Sequence, residues 1–190
     1  EFPNPKWLEN ERMGRWNRGT PRTLKFYGKA GADGLWIPRG CLKQLIVECR
    51  RMGVDYRIED RRRRLPPVDF EFHGALRPFQ QAAVAQMLAR DFGTLNAPTG
   101  SGKTVMALAM VAHRRQPALV VVHTKELAAQ WVERIESFLG IPPAECGLIA
   151  GGRSRIGERV TVALVQSLYK CAEQAAARIG FVVVDECHRD

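Results

Sequence analysis

The segment 97–104, with the sequence APTGSGKT, combines small residues with a Lys-Thr pair in the pattern of a phosphate-binding loop. Gly100 and Gly102 allow backbone conformations and a close approach of the backbone that a side chain would block. Successive N–H groups can then converge on phosphate oxygens, helped by the positive end of a following helix. Lys103 has the length to reach the β- and γ-phosphates of a nucleotide, and the Thr104 hydroxyl can bind Mg²⁺. The predicted nucleotide-binding residues of this loop are Thr99, Gly100, Ser101, Gly102, Lys103 and Thr104.

A pair of acids, Asp185 and Glu186, follows the apolar run Phe181–Val184 and stands 82 residues beyond Lys103. An apolar strand that ends in two acids places carboxylates at the carboxyl edge of a sheet, where α/β proteins bind their ligands. We expect Asp185 to hold Mg²⁺ together with Thr104, and Glu186 to orient or deprotonate the water that attacks the γ-phosphate. The loop and the acids together predict a nucleoside triphosphate site in which Lys103, Asp185 and Glu186 are catalytic.

The elements that must position these residues are predicted by hydrophobic periodicity after residue 66. Apolar runs bounded by turn residues alternate there with segments of helical spacing, which indicates an α/β fold with a parallel sheet. The predicted strands are 93–96, Ala118–Val122, 146–150, 160–165 and Phe181–Val184, and the predicted helices are 76–90, 105–113, Lys125–Leu139 and 166–178.

The net charge of +9 belongs almost entirely to the first third of the chain. Residues 1–65 hold 16 Lys and Arg against 8 Asp and Glu, whereas residues 66–190 hold 13 against 12. Arginines such as Arg12, Arg15 and Arg18 alternate with aromatic residues, and four arginines stand at 61–64. Charges for phosphates and rings for bases suit a nucleic-acid surface, although the rings are equally compatible with a small core.

These observations predict two domains, with a boundary near Pro66. Residues 1–65 are expected to form a small basic α+β domain with DNA-binding capacity, and residues 66–190 the nucleotide-binding domain. In the first domain, 23–27 and 34–38 are predicted to pair as a hairpin, 42–52 to form a helix and 54–58 a strand.

Composition excludes several classes of protein. No apolar run approaches the ~18 residues of a membrane span, so no membrane partner is expected. The five cysteines form no CxxC pair, which favours free thiols and a cytoplasmic location over a disulfide or zinc framework. The chain starts at Glu1 rather than Met, which suggests an excerpt of a longer protein.

The sequence DECH at 185–188 resembles the DExH form of motif II in superfamily 2 helicases and translocases. Alanine at position 97, where the general loop usually has glycine, is common in motif I of that superfamily. The sequence LRPFQ at 76–80 is similar to the superfamily's adenine-reading segment, which implies that Arg77 and Gln80 bind nucleotide. A Gln amide offers the donor and acceptor that match adenine N6 and N7, so Gln80 is predicted to favour ATP over GTP.

The sequence HTKELAAQW at 123–131 resembles motif Ia of the same superfamily. Polar groups at strand ends suit contacts to phosphate and sugar, which position a nucleic acid without reading its sequence. Trp131 is predicted to be helix core rather than a stacking residue. The resemblance implies that His188 couples the nucleotide to a second motor domain or to nucleic acid. The implied nucleic-acid-binding residues are His123, Thr124, Lys125, Gly151, Gly152, Gln166 and Ser167.

The resemblance covers about residues 76–188 and implies a RecA-like domain that uses ATP and Mg²⁺ and acts on DNA. Within the superfamily, the LRPFQ segment and the short core are similar to the XPB-like and UvsW-like helicases and to the type III restriction motor subunits. Motors of this superfamily work in the cleft between two RecA-like domains. We therefore expect a second such domain outside this chain, and little or no ATP turnover from these 190 residues alone.

Three alternatives to an ATP-dependent DNA helicase or translocase remain open from the sequence. The chain could belong to the motor subunit of a restriction system, which residues beyond 190 would decide. A non-motor P-loop protein would show guanine selectivity or phosphoryl transfer to an acceptor. A nucleic-acid-binding module with a vestigial nucleotide site would bind nucleotide independently of Lys103.

Overall fold

The computed structural model describes residues 1–62 and 64–187, and the chain divides into two compact units between Asp60 and Arg61. The division lies five residues before the predicted end of the first domain, because Leu65 is already tied to the second unit. The Leu65 N–H donates to Gln116 Oε1 at 3.0 Å, and Gln116 Nε2 donates to the Leu65 carbonyl at 3.0 Å. Further along, the Val68 N–H donates to the Arg115 carbonyl.

The second unit is an α/β domain built on a five-stranded sheet in the order β7-β6-β8-β5-β9. All neighbouring strands are parallel except β6 and β7, which form an antiparallel hairpin. This confirms the α/β class and the parallel sheet predicted from the sequence. The elements are α3 (Pro78–Leu88), α4 (Lys103–Arg114), β5 (Ala118–Val122), α5 (Lys125–Leu139), β6 (Gly147–Ala150), β7 (Arg153–Arg155), β8 (Val160–Leu164), α6 (Val165–Leu168), α7 (Ala172–Ala176) and β9 (Phe181–Val184).

The core of this unit lies on both faces of the sheet. Strands β5 and β8 are buried at every position because each has a neighbouring strand on either side and packed residues above and below. Alternate residues enter different clusters: Val120 and Val122 pack with α4 and α5 on one face, and Leu119 and Val121 with α7 on the other. The central strands are therefore fixed from both sides, which holds their carboxyl ends in place.

Two predicted elements of this unit are wrong. Segment 93–96 is not a strand, because it has no ladder partner among the described strands. The predicted helix 166–178 is broken into α6 and α7 by a turn at 169–171. Tyr169 is 88% exposed, and only Ala175 of α7 is buried. A helix of that length would have had too little apolar surface to hold it against the sheet.

The first unit consists of short helices and two-stranded hairpins. Its predicted helix is present as α2, but the predicted hairpin has the wrong partner strand: β3 pairs with β4, while β2 pairs with β1. The predicted strand 54–58 is not formed. The elements are β1 (Phe2–Pro3), α1 (Pro5–Arg12), β2 (Thr23–Leu24), β3 (Gly28–Ala30), β4 (Gly34–Trp36), a 3₁₀ turn (Arg39–Cys41) and α2 (Leu42–Arg51).

No apolar side chain of residues 1–60 is buried, and Asn4 is the one residue there that is. Asn4 caps α1: its side chain accepts from the Lys6 N–H and donates to the Pro21 carbonyl at 2.8 Å. Arg18 and Arg22 stack their guanidinium groups on Trp16 and Trp7. The rings are therefore not the buried core of a domain, and Trp16 is 78% exposed. None of the helices in the described ranges is both long enough and apolar enough to cross a bilayer.

Candidate nucleotide and nucleic-acid site

The carboxyl ends of four parallel strands lie at one edge of the sheet. Val122, which ends β5, pairs with Leu164, which ends β8, and Val184 of β9 pairs with Val121 of β5. Strand β6 runs parallel to β8 at the other side. The residues that follow these ends therefore meet along a single edge. They are His123, Thr124 and Lys125 after β5, Gly151 and Gly152 after β6, Gln166 and Ser167 after β8, and Asp185 and Glu186 after β9.

The phosphate loop reaches the same edge through α4. Only three residues separate Arg114, the end of α4, from Ala118, the start of β5, so the helix ends near the amino edge of the sheet. A helix of this length spans ~18 Å, and a strand like β5 spans ~16 Å. Lys103, at the other end of α4, is thus carried to the carboxyl edge, and α4 contacts β9.

The loop itself has the backbone shape of an anion cradle. Gly100 and Gly102 have φ of 80° and 82°, in the left-handed region that L side chains rarely adopt. Helix α4 starts directly after Gly102 and has no side-chain cap, so the N–H groups of its first turn point out of the helix end. Ser101 Oγ is buried, and no partner for it exists in the described part of the chain. These orphaned donors are what a phosphate group would satisfy.

Lys103 is folded over the loop. Its Nζ donates to the Ala97 carbonyl at 2.9 Å, six residues back along the chain. The ammonium group therefore lies at the mouth of the cradle, where a phosphate oxygen would replace the carbonyl as its partner.

The side chain of Gln80 packs under the phosphate loop and is hydrogen-bonded to it. The side chain is 7% exposed, so it is a buried group and not a solvated helix glutamine. Its Nε2 donates to the Ser101 carbonyl at 2.7 Å, and its Oε1 accepts from the Arg77 N–H at 2.8 Å. A Cβ at Gly102 would lie 2.5 Å from Gln80 Nε2. The amide thus contacts the phosphate loop and still has one N–H and one lone pair for another partner.

The acidic pair begins where β9 ends. The Asp185 N–H continues the sheet ladder by donating to the Val121 carbonyl at 3.0 Å. Asp185 Oδ2 accepts a hydrogen bond of 2.8 Å from Nε1 of Trp131, a residue of α5 that is 3% exposed. Trp131 is core, as predicted, but its contact with Asp185 was not predicted. Glu186 has φ of 56°, an uncommon backbone conformation for a residue with a side chain.

The segment after β5 caps α5. Thr124 Oγ1 accepts from the Leu127 N–H at 3.2 Å, as an N-cap residue does. Hydrogen bonds from its own backbone N–H and from the Thr124 side chain lower the pKa of Glu126. Lys125 is exposed, and His123 is half-buried. The cap on α5 therefore accounts for Thr124 without a ligand, whereas Lys125 is an exposed cation of this segment.

Gly151 and Gly152 form the two-residue turn between β6 and β7. Their φ values of 57° and 83° are those of a hairpin turn with both central residues in the left-handed region. Gln166 is exposed and Ser167 half-buried in α6. The structure brings these predicted residues to the common edge, while His188 lies outside the described residues.

The chain is similar to known proteins over different shares of its length. A family model described as "Type III restriction enzyme, res subunit" matches residues 73–190. The DNA 3'-5' translocase XPB2 of Sulfurisphaera tokodaii is 36% identical over 113 residues, which are 60% of this chain and 25% of that protein. "Probable helicase D10" of Escherichia phage T5 is 28% identical over 169 residues, which are 88% of this chain and 36% of that protein. The chain thus spans about a third or less of these relatives.

Among solved structures, the UvsW helicase of bacteriophage T4 has a similar fold, with a TM-score of 0.63 at 20% identity. The likeness covers 98% of this chain and 73% of that one, and it agrees with the RecA-like fold expected from the motifs. The family model covers more than half of the chain and includes both the phosphate loop and the acidic pair. The chain therefore belongs to the family of the type III restriction enzyme res subunit, within the superfamily 2 helicases and translocases.

Proposed function

We propose that this chain is the nucleotide-binding part of an ATP-dependent DNA helicase or translocase. The observation that carries the proposal is the meeting of the phosphate loop, the acidic pair and three further polar strand ends at one edge of the sheet. Such an edge binds nucleotide on one side and offers polar groups to a second ligand along its length. The name of XPB2, a DNA 3'-5' translocase, supports DNA as that ligand.

In the proposed site, the loop amides and Ser101 hold the phosphates, and Lys103 leaves the Ala97 carbonyl to neutralise the β- and γ-phosphates. Thr104 and Asp185 would hold Mg²⁺ with the nucleotide and water supplying its other ligands, and the ion would stabilise the charge that develops on the phosphate oxygens. Glu186 would orient the attacking water and take its proton.

Base selectivity is proposed for Gln80, with Arg77 beside it. The amide already spans from the Ser101 carbonyl to the Arg77 N–H. Its remaining donor and acceptor could pair with adenine, whose edge presents the complementary groups, and not with guanine. A base bound to Gln80 would then be linked to the phosphate loop through the hydrogen bond from Gln80 Nε2 to the Ser101 carbonyl.

Contacts to DNA are proposed for the polar strand ends and for the first unit. Lys125 supplies a charge at the edge, and His123, Thr124, Gly151, Gly152, Gln166 and Ser167 supply polar groups around it. In the first unit, exposed rings stand beside cations, as in Arg18 over Trp16. Rings that are not needed for a core remain available to stack on unpaired bases. Hydrolysis at full rate is proposed to require a second RecA-like domain, to which His188 would couple the site.

A second candidate function is the motor of a restriction system, which the description of the matching family favours. Both functions use the same nucleotide site, so this chain does not separate them. ATP hydrolysis by the full-length protein, measured without DNA and with single- or double-stranded DNA, tests the shared part. Stimulation by DNA that is lost in Lys103→Ala is expected, and GTP hydrolysis without DNA dependence would contradict it. ATP-dependent cutting of the DNA, as opposed to unwinding or movement, would select the restriction role.

A further inference from the structure

The hydrogen bond between Trp131 and Asp185 joins two motifs that lie 54 residues apart. Trp131 lies on α5, the helix that starts at the Thr124 cap, and Asp185 directly follows β9. Trp131 is 3% exposed, a buried indole N–H usually has a hydrogen-bond acceptor, and Asp185 Oδ2 at 2.8 Å is that acceptor. A donor held this rigidly fixes the rotation of the carboxylate.

Only one of the two carboxylate oxygens is used in this way. Asp185 Oδ1 makes no hydrogen bond within the described residues, while the backbone N–H of Asp185 is bound in the sheet ladder. The residue is thus held through its backbone N–H and through one carboxylate oxygen, and the other oxygen is left for a ligand. Hydrogen bonds that orient metal-binding groups matter for the metal itself, since removing the orienting partner typically costs ~10–100-fold in metal affinity or activity.

We propose that Trp131 is a positioning residue of the nucleotide site. Its N–H holds Oδ2 of Asp185 so that Oδ1 faces the Mg²⁺ that accompanies ATP, and it links the first metal-binding acid to the helix that begins at the proposed nucleic-acid edge. The inference rests on the proposed function, since it assigns a role toward the Mg²⁺ of that site. It concerns a residue whose core position explains its size but not the direction of its one polar atom.

The test is nucleotide affinity with and without Mg²⁺, measured on this chain by calorimetric titration with ATP in MgCl₂ or in EDTA. Trp131→Phe keeps an aromatic ring in the core and removes the N–H donor together with part of the side-chain volume. Ile135→Val is the matched control, because Ile135 lies one turn further along α5, is fully buried and is not bonded to Asp185. We expect Trp131→Phe to reduce the Mg²⁺-dependent gain in affinity by about 10-fold, the lower end of the effect of removing an orienting partner.

Affinity in EDTA should stay the same in both variants, and Ile135→Val should keep the wild-type gain from Mg²⁺. If the role of Trp131 were purely structural, Trp131→Phe would lower the thermal midpoint and would weaken the ATP affinity equally in MgCl₂ and in EDTA. That result would overturn the proposal. Wild-type chain that fails to bind ATP at the loop would instead overturn the proposed function itself. A measurement without nucleotide completes the test: the indole N–H resonance of Trp131 should shift in Asp185→Asn, and an unmoved resonance would mean that the bond is absent.

Discussion

Gly102 offers the sharpest test of how the phosphate loop is built. In Gly102→Ala, the new Cβ would stand 2.5 Å from Gln80 Nε2, a distance at which one of the two groups must move. The backbone φ of 82° adds a second cost, since a left-handed conformation disfavours alanine by roughly 1–2 kcal/mol. Gly100 has nearly the same φ of 80°, but a Cβ there meets nothing within 4 Å. The two glycines therefore separate backbone strain from the clash with Gln80.

The clash can be given a magnitude from the bonds that Gln80 would lose. Displacing the amide breaks its hydrogen bonds to the Ser101 carbonyl and from the Arg77 N–H, each worth roughly 1 kcal/mol of net stability. Gly102→Ala should therefore lower the free energy of unfolding by about 3–4 kcal/mol and Gly100→Ala by about 1–2 kcal/mol.

Urea denaturation followed by far-ultraviolet circular dichroism measures both changes. A double-mutant cycle adds Gln80→Ala, which removes the group that the Cβ would meet. In that background, Gly102→Ala should cost no more than Gly100→Ala does in the wild-type chain. Equal costs for the two glycine variants in the wild-type background would refute the reasoning, because they would show that the loop does not rest on Gln80.

Three further predictions concern other parts of the chain. Burial raises the pKa of the Cys146 thiol to about 11, against 9.0 for an unburied thiol. The contribution of the neutral buried thiol to the free energy of unfolding is therefore complete below pH 9 and is lost as the pH rises through 11. At about 1.4 kcal/mol per pKa unit, this loss amounts to about 3 kcal/mol. The urea midpoint should fall less between pH 8 and 11 in Cys146→Ala than in the control Cys187→Ala. An equal fall in the two variants would contradict this prediction. Replacing Arg12, Arg15 and Arg18 by Gln should weaken DNA binding and reduce the slope of log affinity against log salt by about 0.9 for each phosphate that these arginines neutralise. The control Arg51→Gln, in a residue paired with Glu48, should change little, and an unaltered slope in the triple variant would place the DNA surface elsewhere. Gln116→Ala removes both hydrogen bonds to Leu65 and should cost about 1–2 kcal/mol of stability while raising proteolysis near residue 65; an unchanged cleavage pattern would mean that these bonds do not hold the segment.

The sequence was informative where the determining interactions are local. The left-handed glycines, the uncapped start of α4 and the apolar strand before Asp185 each depend on a few consecutive residues, so their pattern predicted the loop and the parallel sheet. Segment 93–96 was predicted as a strand from the same kind of pattern, but a strand also needs a neighbour, and periodicity does not contain that information.

Interactions between distant segments explain the rest. Gln80 meets Ser101 across 21 residues, and Trp131 meets Asp185 across 54, so neither pairing follows from local spacing. A Trp on the buried face of a helix did predict core, and its unassigned N–H is the signal that could have prompted a search for an acceptor. Gly151 and Gly152 show the opposite case, since a hairpin turn is by itself sufficient reason for both glycines.

The central claim is that the loop around Lys103 binds the phosphates of ATP. Its most direct test is a titration of ¹⁵N-labelled chain with Mg²⁺-ATP to millimolar concentration, followed through the backbone amide resonances. The amides of Gly100, Gly102, Lys103 and Thr104 should shift with saturation in the wild-type chain, and these shifts should be lost in Lys103→Ala while the remaining spectrum stays folded. Shifts that persist in Lys103→Ala, or that fall outside the loop and the carboxyl edge of the sheet, would contradict the account.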